Sequence, residues 1–286
     1  MGAKIDSGCF TLIIHGDSSL RNASKAGLRF TGSEGKGLVC MRVLIAIPVF
    51  NEERYVRQVM SRILSFGHDV LVIDDGSTDG TPALLNEFES ISVIRHPENR
   101  GYGQSLIDAF AYASCNGYDW TITIDCDEQH EPEHIPTFVE YARRDDADIV
   151  SGSRYLTELP GNTGAPSDRR RINMQITDLL NERLGLGLTD SFCGFKAYRT
   201  SAMDRLCLTI PGYAFPLQFW VQVARLGLRT VEIPVPLIYH DPNRHFGGML
   251  DDPDARLKHY LEVFENEMEN FQPCDQPDWS ACPFGS

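Results

Sequence analysis

The chain has 286 residues, a hydrophobic content of 42% and a formal net charge of −14. This length accommodates one large domain or two small ones, and the hydrophobic content is sufficient for a full core. The acidic balance argues against non-specific nucleic-acid binding and against a broadly basic membrane-facing surface, so we expect no nucleic-acid partner.

Signals for membrane insertion and for disulfides are weak. The apolar run at 10–14 is too short for a signal peptide, and no run approaches the roughly 18 residues of a spanning helix. The eight cysteines form no Cys-x-x-Cys pair and lack zinc spacing. Because a chain of this length needs no disulfide scaffold, we predict reduced thiols in a cytoplasmic protein that is at most peripheral at a membrane.

The first forty residues differ from the rest of the chain. Residues 1–40 are rich in Gly, Ser and Lys and lack sustained periodicity. We therefore predict a disordered arm or a mis-called extension before a true start at Met41. The other predicted units are a main domain at 41–250, a C-terminal helix at 251–272 and a flexible tail at 273–286.

Short apolar strands alternate with helical patterns from residue 42 to residue 150. The predicted strands are 42–47, 69–73, 91–95, 119–124 and 148–151, and the predicted helices are 53–66, 81–89, 103–115 and 132–144. This alternation predicts an α/β fold with a mostly parallel central sheet flanked by helices. Polar loops follow the first four strands, and ligands of such sheets bind beyond the carboxyl ends of the strands, so we predict a nucleotide site there.

Two carboxylates, Asp125 and Asp127, follow the apolar strand at 120–124 directly. In this position they repel each other and lose hydration, so something usually compensates them. Mg²⁺ or Mn²⁺ is the obvious compensator, since such ions commonly take one or two carboxylates plus substrate phosphates. Gln129 lies within reach as a further ligand. The alternative interpretation is a strand-end loop with solvated acids.

A Gly- and Pro-rich segment at 156–167 is predicted to be a mobile loop that closes over substrate. Arg169, Arg170 and Arg171 follow it and open a helix. Three positive charges at a helix N-terminus oppose the helix dipole, which favours an anionic ligand such as an acceptor phosphate. The alternative is a solvated helix start.

Six motifs follow one another along the chain. They are IPVFNEE at 47–53, VIDDGSTDGT at 72–81, NRGYG at 99–103, IDCDEQHEP at 124–132, SGSRY at 151–155 and DSFCGFKAYR at 190–199. Together they resemble the family 2 glycosyltransferases, which have the Rossmann-like GT-A fold of nucleotide-diphospho-sugar transferases. Within that family they most resemble the dolichol-phosphate or polyprenyl-phosphate mannosyltransferases, and the resemblance covers 41–250.

The resemblance implies a nucleotide diphosphate sugar as donor and Mg²⁺ or Mn²⁺ as cofactor. The family's metal positions are matched by Asp125, Asp127 and Gln129. Its positions for the nucleotide and diphosphate are matched by Pro48, Phe50, Glu52, Asp74, Asp75, Asp125, Arg154 and Arg244. Asp74 is expected to meet the base or ribose, while Asp75 also suits the turn chemistry of the segment that follows.

Two positions depart from the family pattern. Leu250 stands where the family has a phosphate-gripping Lys downstream of the Arg matched by Arg244, with His245 or Lys258 as candidate replacements. Gln218 stands where the family often has a carboxylate.

Family membership implies inversion by direct displacement at the anomeric carbon. A phosphate acceptor is already ionised near neutral pH, whereas a sugar hydroxyl needs a general base. Asp190 is the candidate base, or a residue that positions the acceptor, and a turn cap is its structural alternative. The predicted catalytic residues are Asp127, Asp190 and Arg154.

The predicted function is therefore metal-dependent transfer of a sugar to a polyprenyl or dolichyl phosphate at a membrane surface. Two alternatives stay open: transfer to a soluble hydroxyl acceptor, and a catalytically silent module that binds nucleotide sugars. A nucleotidyltransferase is disfavoured because the loop after the first strand is acidic rather than Gly-rich and basic.

Overall fold

The described strands form one eight-stranded sheet. A computed structural model of the chain describes residues 11–14, 41–159, 162–239, 248–273 and 284. The strands are β1 Thr11–Ile14, β2 Val43–Val49, β3 Asp69–Asp74, β4 Ile91–Arg95, β5 Trp120–Thr123, β6 Ile149–Ser153, β7 Lys196–Arg199 and β8 Thr230–Pro234. Their order across the sheet is β1-β4-β3-β2-β5-β7-β6-β8.

Helices flank this sheet. They are α1 Val56–Leu64, α2 Thr81–Leu85, α3 Tyr102–Cys115, α4 Ile135–Arg143, α5 Ser167–Leu184, α6 Thr200–Met203, α7 Phe215–Arg225 and α8 Pro253–Asn270. The pattern of α1 shows why it is helical: its buried residues are Val56, Val59, Met60 and Ile63. This spacing puts all four on one face, which packs on the sheet.

Both faces of the sheet are covered. Ile45 and Ile47 of β2 belong to one core cluster, whereas Leu44 and Ala46 belong to another. Successive strand residues point to opposite faces, so the continuous apolar run of β2 is what a strand buried on both sides requires.

Four neighbouring strands set the position of the site. β4, β3, β2 and β5 pair in parallel, and their carboxyl ends therefore lie at one edge of the sheet. The predicted α/β fold with a mostly parallel sheet flanked by helices is confirmed.

The sequence analysis did not identify β7. This strand runs antiparallel between β5 and β6, and its first residue, Lys196, pairs with Thr123. Because β7 is antiparallel, the segment before it arrives at the same edge as the carboxyl ends of the parallel strands. The DSFCGFK motif is thereby placed beside Asp125.

Short pieces of both predicted terminal extensions contact the core. The backbone of β1 pairs antiparallel with β4, although residues 1–40 were predicted to be a disordered arm or extension. Phe284 is 4% exposed and packs against Tyr112 with ring centroids 6.2 Å apart. The other residues of 1–40 and most of the tail lie outside the described residues, and the predicted boundaries stay predictions.

The prediction that all cysteines are reduced is wrong for two of them. Cys115 and Cys207 take part in disulfide bonds, while Cys126 and Cys193 are buried free thiols. The sequence argument used only spacing and chain length, neither of which reports which cysteines meet in space. The cysteine pattern therefore no longer supports a cytoplasmic location.

The C-terminal helix α8 packs on α7 through a buried polar cluster. Glu267 of α8 accepts hydrogen bonds from Nε2 of Gln218 at 2.9 Å and from Nε2 of Gln222 at 2.7 Å. The same Gln218 side chain accepts from the backbone N–H of Thr209 at 2.7 Å. Gln218 is thus part of the packing between α7 and α8. No helix in the described part of the chain is both long and apolar enough to span a membrane.

We predict that Glu267→Ala lowers the free energy of unfolding by about 2–4 kcal/mol, because one N–H of each of the two buried glutamine amides loses its acceptor. Glu269→Ala, on the exposed side of the same helix, is the matched control and should change stability by less than about 0.5 kcal/mol. Chemical denaturation measures both values, and equal stability of the two variants would contradict the buried cluster.

Candidate active site

A cleft of about 710 Å³ opens at the carboxyl edge of the parallel strands. It brings together eight of the predicted site residues, which are Pro48, Phe50, Glu52, Asp75, Asp125, Asp127, Gln129 and Arg169. The other predicted site residues within the described part are not in its lining; they are Asp74, Arg154, Arg170, Arg171 and Asp190. Arg244 and His245 lie outside the described residues.

Asp74 and Asp75 are placed differently from each other relative to the cleft. Asp74 is 1% exposed; its Oδ1 accepts from the backbone N–H of Ser77 at 2.9 Å, and Nε of Arg95 lies 3.2 Å from its Oδ2. Asp75, not Asp74, lines the cleft. Consecutive residues at a strand end point in opposite directions, so only one of the two faces the ligand side.

Asp75 holds the loop at 99–103 in place. Its Oδ1 accepts from the backbone N–H of Arg100 and its Oδ2 from that of Gly101, both at 2.8 Å. Below it, His96 bridges two carboxylates, with Nδ1 2.6 Å from Asp75 and Nε2 2.8 Å from Asp108. Burial lowers the pKa of His96, but hydrogen bonds and charge from the two carboxylates outweigh burial and raise it overall.

Asp125 and Asp127 both face the cleft. The hydroxyl of Tyr102 donates to Oδ1 of Asp125 at 3.3 Å, and the backbone N–H of Gln129 donates to Oδ1 of Asp127 at 3.1 Å. Burial lowers the pKa of His130, 3.5 Å from Asp125, to about 4. Near neutral pH His130 is therefore uncharged.

The donor set fits a hard divalent ion. Within the described ranges, no group of three or more His, Cys, Asp or Glu side chains is assembled for a metal. Mg²⁺ and Mn²⁺ do not need such a group when substrate phosphates supply the remaining oxygens. Gly194 allows the carboxylate of Asp125 to lie against the backbone, since a Cβ at this position would be 2.4 Å from its Oδ2. Asp125, Asp127 and Gln129 are thus suited to such an ion.

Asp190 and Arg154 form a buried ion pair behind the cleft. Nε of Arg154 is 2.6 Å from Oδ2 of Asp190 and NH2 is 2.9 Å from Oδ1, while Asn173 donates to Oδ1 at 2.8 Å. Burial opposes ionisation of Asp190, which is 0% exposed. Arg154 and Asn173 nevertheless lower its pKa to about 2. Such a carboxylate is a weak base, and it orients Arg154.

The three arginines at the start of α5 point in different directions. Arg169 lines the cleft, whereas Arg170 lies over the ring of Tyr155 at 5.1 Å. Arg171 lies 3.6 Å from Asp254 of α8. The predicted cluster therefore contributes one guanidinium to the cleft lining.

The loop before α5 contacts the segment that follows β8. The backbone N–H of Thr163 donates to the carbonyl oxygen of Leu237 at 2.9 Å, and Oδ1 of Asn162 accepts from the N–H of Leu237 at 2.9 Å. Residues 160 and 161 lie outside the described residues. The mobility predicted for this loop stays a prediction.

Another basic residue, Arg256, contacts the segment around Leu250, the position at which the family has a lysine. NH1 of Arg256 donates to the carbonyl oxygen of Leu250 at 2.8 Å, and its NH2 lies 2.7 Å from Asp168. Lys258, a candidate replacement, is 79% exposed and lies 3.8 Å from Glu262.

Tyr102 and Tyr213 are among the cleft residues to which the sequence analysis assigned no role. Tyr102 and Tyr213 line the cleft and stack with ring centroids 6.0 Å apart. The motif NRGYG contained a signal for Tyr102, since the local backbone conformation does not require an aromatic residue between two glycines. No local pattern marked Tyr213.

Known proteins have sequences similar to that of this chain. The family model described as Glycosyl transferase family 2 matches residues 44–207. An undecaprenyl-phosphate mannosyltransferase of Micrococcus luteus is 34% identical over 225 residues, covering 74% of this chain and 90% of that protein. A polyprenol monophosphomannose synthase of Mycolicibacterium smegmatis is 30% identical over 206 residues, covering 68% of this chain and 76% of that protein.

Solved structures share the fold. A glucosyl-3-phosphoglycerate synthase of Mycobacterium tuberculosis in complex with UDP has a TM-score of 0.64 at 20% identity, over 81% of this chain and 82% of that chain. The same synthase in complex with Mn²⁺, UDP and phosphoglyceric acid has a TM-score of 0.60 at 20% identity, over 83% and 80%. The sheet and its cleft therefore define a GT-A transferase fold. The chain belongs to glycosyl transferase family 2 and is a glycosyltransferase.

We predict that Arg154→Gln lowers the free energy of unfolding by about 3–5 kcal/mol, because it leaves Asp190 as a buried, poorly compensated charge. The exposed Arg170→Gln is the control and should cost less than about 1 kcal/mol. Denaturant titration measures both, and similar small losses would contradict a structural role for the ion pair.

The ion pair between Arg154 and Asp190 also makes the stability of the fold depend on pH in acid. The pKa of Asp190 is about 2 in the folded protein and roughly 3.9 when unfolded. Its contribution to stability is therefore fully present above about pH 4 and is lost as the pH falls toward 2. In Arg154→Gln the pKa of Asp190 rises, so acid unfolding should begin at a higher pH than in the native protein.

Proposed function

We propose that this glycosyltransferase is metal-dependent and inverting, and that it moves a sugar from a nucleotide diphosphate sugar to a polyprenyl or dolichyl phosphate. The observation that carries the proposal is the meeting of Asp125, Asp127 and Arg169 in one cleft. The two carboxylates suit the donor's diphosphate with its cation, and the guanidinium suits a second anionic substrate beside it.

The donor's nucleotide occupies the side of the cleft nearest β2 and β3. Pro48, Phe50, Glu52 and Asp75 line this side. Phe50 is 42% exposed, which leaves its ring accessible to a base. Asp75 brings a carboxylate oxygen for hydrogen bonding to the base or ribose.

Asp125, Asp127 and Gln129 would hold Mg²⁺ or Mn²⁺ when donor is bound. A divalent ion in that position neutralises charge that builds on the departing diphosphate. One feature of the chain favours this assignment: both strand-end carboxylates face the cleft. The structurally similar synthase solved with Mn²⁺ and UDP is consistent with it.

The acceptor is a phosphate rather than a neutral hydroxyl. Deprotonation of a hydroxyl needs a base with a pKa near the working pH and within hydrogen-bond reach. Asp190, the base predicted for that route, is 0% exposed and has a pKa of about 2. An ionised phosphate needs no base, and both mannosyltransferases described above are named for polyprenyl phosphate chemistry.

Two earlier alternatives lose support. The soluble hydroxyl acceptor lacks an exposed base at Asp190, and the silent binding module is opposed by the two cleft-facing carboxylates. A lipid phosphate acceptor implies that the protein visits a membrane surface as a peripheral protein. Its cytoplasmic location stays a prediction.

We predict that Asp127→Asn abolishes the gain in donor affinity that Mn²⁺ produces, because it removes one anionic ligand while keeping the side-chain shape. Isothermal titration with GDP and UDP, each with and without MnCl₂, measures this gain. Glu131→Gln is the matched control, since its half-exposed carboxylate lies nearby in sequence and pairs with His134. Native protein with equal affinity in both conditions would refute the metal.

We predict that Arg169→Gln raises KM for a short polyprenyl phosphate by roughly tenfold, as expected for loss of a charge-assisted phosphate contact of about 1.5 kcal/mol. Arg171→Gln, which removes a charge directed toward Asp254, should leave KM within about twofold. Transfer only to neutral glycosides, or equal effects of the two variants, would refute the phosphate acceptor at Arg169.

A further inference from the structure

Tyr102 lies between the nucleotide end and the diphosphate end of the cleft. It follows Gly101, which Asp75 holds through a hydrogen bond of 2.8 Å. Its own hydroxyl donates to Oδ1 of Asp125 at 3.3 Å. Three consecutive residues, 100–102, therefore connect the carboxylate at the end of β3 with the carboxylate after β5.

The backbone around Tyr102 has little freedom to move. Gly101 has a φ of 99°, and a Cβ there would lie 2.4 Å from the carbonyl oxygen of Pro211. A Cβ on Gly103 would lie 2.2 Å from the carbonyl oxygen of Ile210. The loop is thus packed closely against 210–211 on both sides of Tyr102.

The side chain of Tyr102 is also fixed. Its ring stacks on Tyr213 with an interplanar angle of 13°. Its hydroxyl is the donor in the hydrogen bond to Asp125. The hydroxyl is therefore a preorganised donor aimed at one oxygen of Asp125.

The carboxylate that receives this hydrogen bond is also confined by Gly194. A Cβ on Gly194 would lie 2.4 Å from Oδ2 of Asp125, 2.8 Å from its Oδ1 and 2.8 Å from the hydroxyl oxygen of Tyr102. The close backbone and the hydroxyl together restrict the orientation of the carboxylate. Ligands of metal sites are commonly oriented in this way by a second hydrogen bond.

We propose that Tyr102 is a positioning residue for Asp125, and that residues 100–102 couple nucleotide binding at Asp75 to metal binding at Asp125. The inference rests on the proposed function, because it presupposes a divalent ion at Asp125. A nucleotide bound at Asp75 also fixes residues 100–102, and these residues orient Asp125. Metal and nucleotide therefore each strengthen the binding of the other.

The test compares two Tyr→Phe variants that each lose one hydroxyl bonded to an aspartate. Tyr102→Phe keeps the ring and its stacking but loses the donor to Asp125. Tyr118→Phe is the matched control, since its hydroxyl donates to Asp69 at 2.9 Å outside the cleft lining. GDP and UDP are titrated calorimetrically with and without MnCl₂, and melting temperatures are recorded.

The expected result is a reduction of roughly tenfold in the Mn²⁺-dependent gain in affinity for Tyr102→Phe, as is typical when a metal ligand loses its orienting partner. The affinity of each variant without Mn²⁺ is the baseline from which its gain is calculated. Tyr118→Phe should keep the full gain. A full gain in Tyr102→Phe, or an equal loss in both variants, overturns the inference.

A second variant keeps the result decisive. Gly194→Ala disturbs the same carboxylate, so the double variant with Tyr102→Phe should lose no more than the larger single loss. Additive losses would show that Tyr102 acts elsewhere. Native protein without any Mn²⁺ gain would instead refute the metal in the proposed function, so the two failures are distinguishable.

Discussion

Carboxylates buried at one edge of the sheet set the electrostatic problem that the rest of the site answers. An ionised carboxylate in the interior costs several kcal/mol unless charge or hydrogen bonds compensate it. Asp75 is compensated by His96 and backbone amides, and Asp190 by Arg154. Asp125 accepts from the hydroxyl of Tyr102, and its side chain is 29% exposed. In the proposed function, a bound divalent ion adds a positive charge beside this carboxylate.

The parallel half of the sheet was predictable because each of its strands and helices has a local sequence pattern. Alternating apolar strands and helices place the four polar loops at one edge, whatever the details of packing. Which of Asp74 and Asp75 lines the cleft could not be predicted in this way. Which carboxylate turns inward depends on the register with β4, where Asp74 pairs with Arg95. That pairing joins residues on two different strands, and no local sequence pattern predicts that they lie opposite each other.

Gln218 shows the same limit at the other end of the chain. Comparison with the family at this position alone indicates that a carboxylate has been lost. In the folded protein a carboxylate lies 2.9 Å from it, supplied by Glu267 of α8. A difference at one position thus has its counterpart on another helix, and only the packing of α7 on α8 relates the two. The polar cluster they form is buried and anchors α8.

The antiparallel course of β7 has a consequence for how firmly the two ends of the cleft are tied to the chain. β5 lies between β2 and β7, and both of its pairings join strands that are far apart in sequence, with Thr123 opposite Lys196 in the second. Pairings of this length cost more chain entropy than local ones before contacts repay it. The position of Asp125 therefore depends on two long-range pairings, whereas Asp75 follows β3, which pairs with its sequence neighbours β2 and β4. Local loss of the β5–β7 pairing would take Gly194 away from Asp125 and leave the surroundings of Asp75 unchanged.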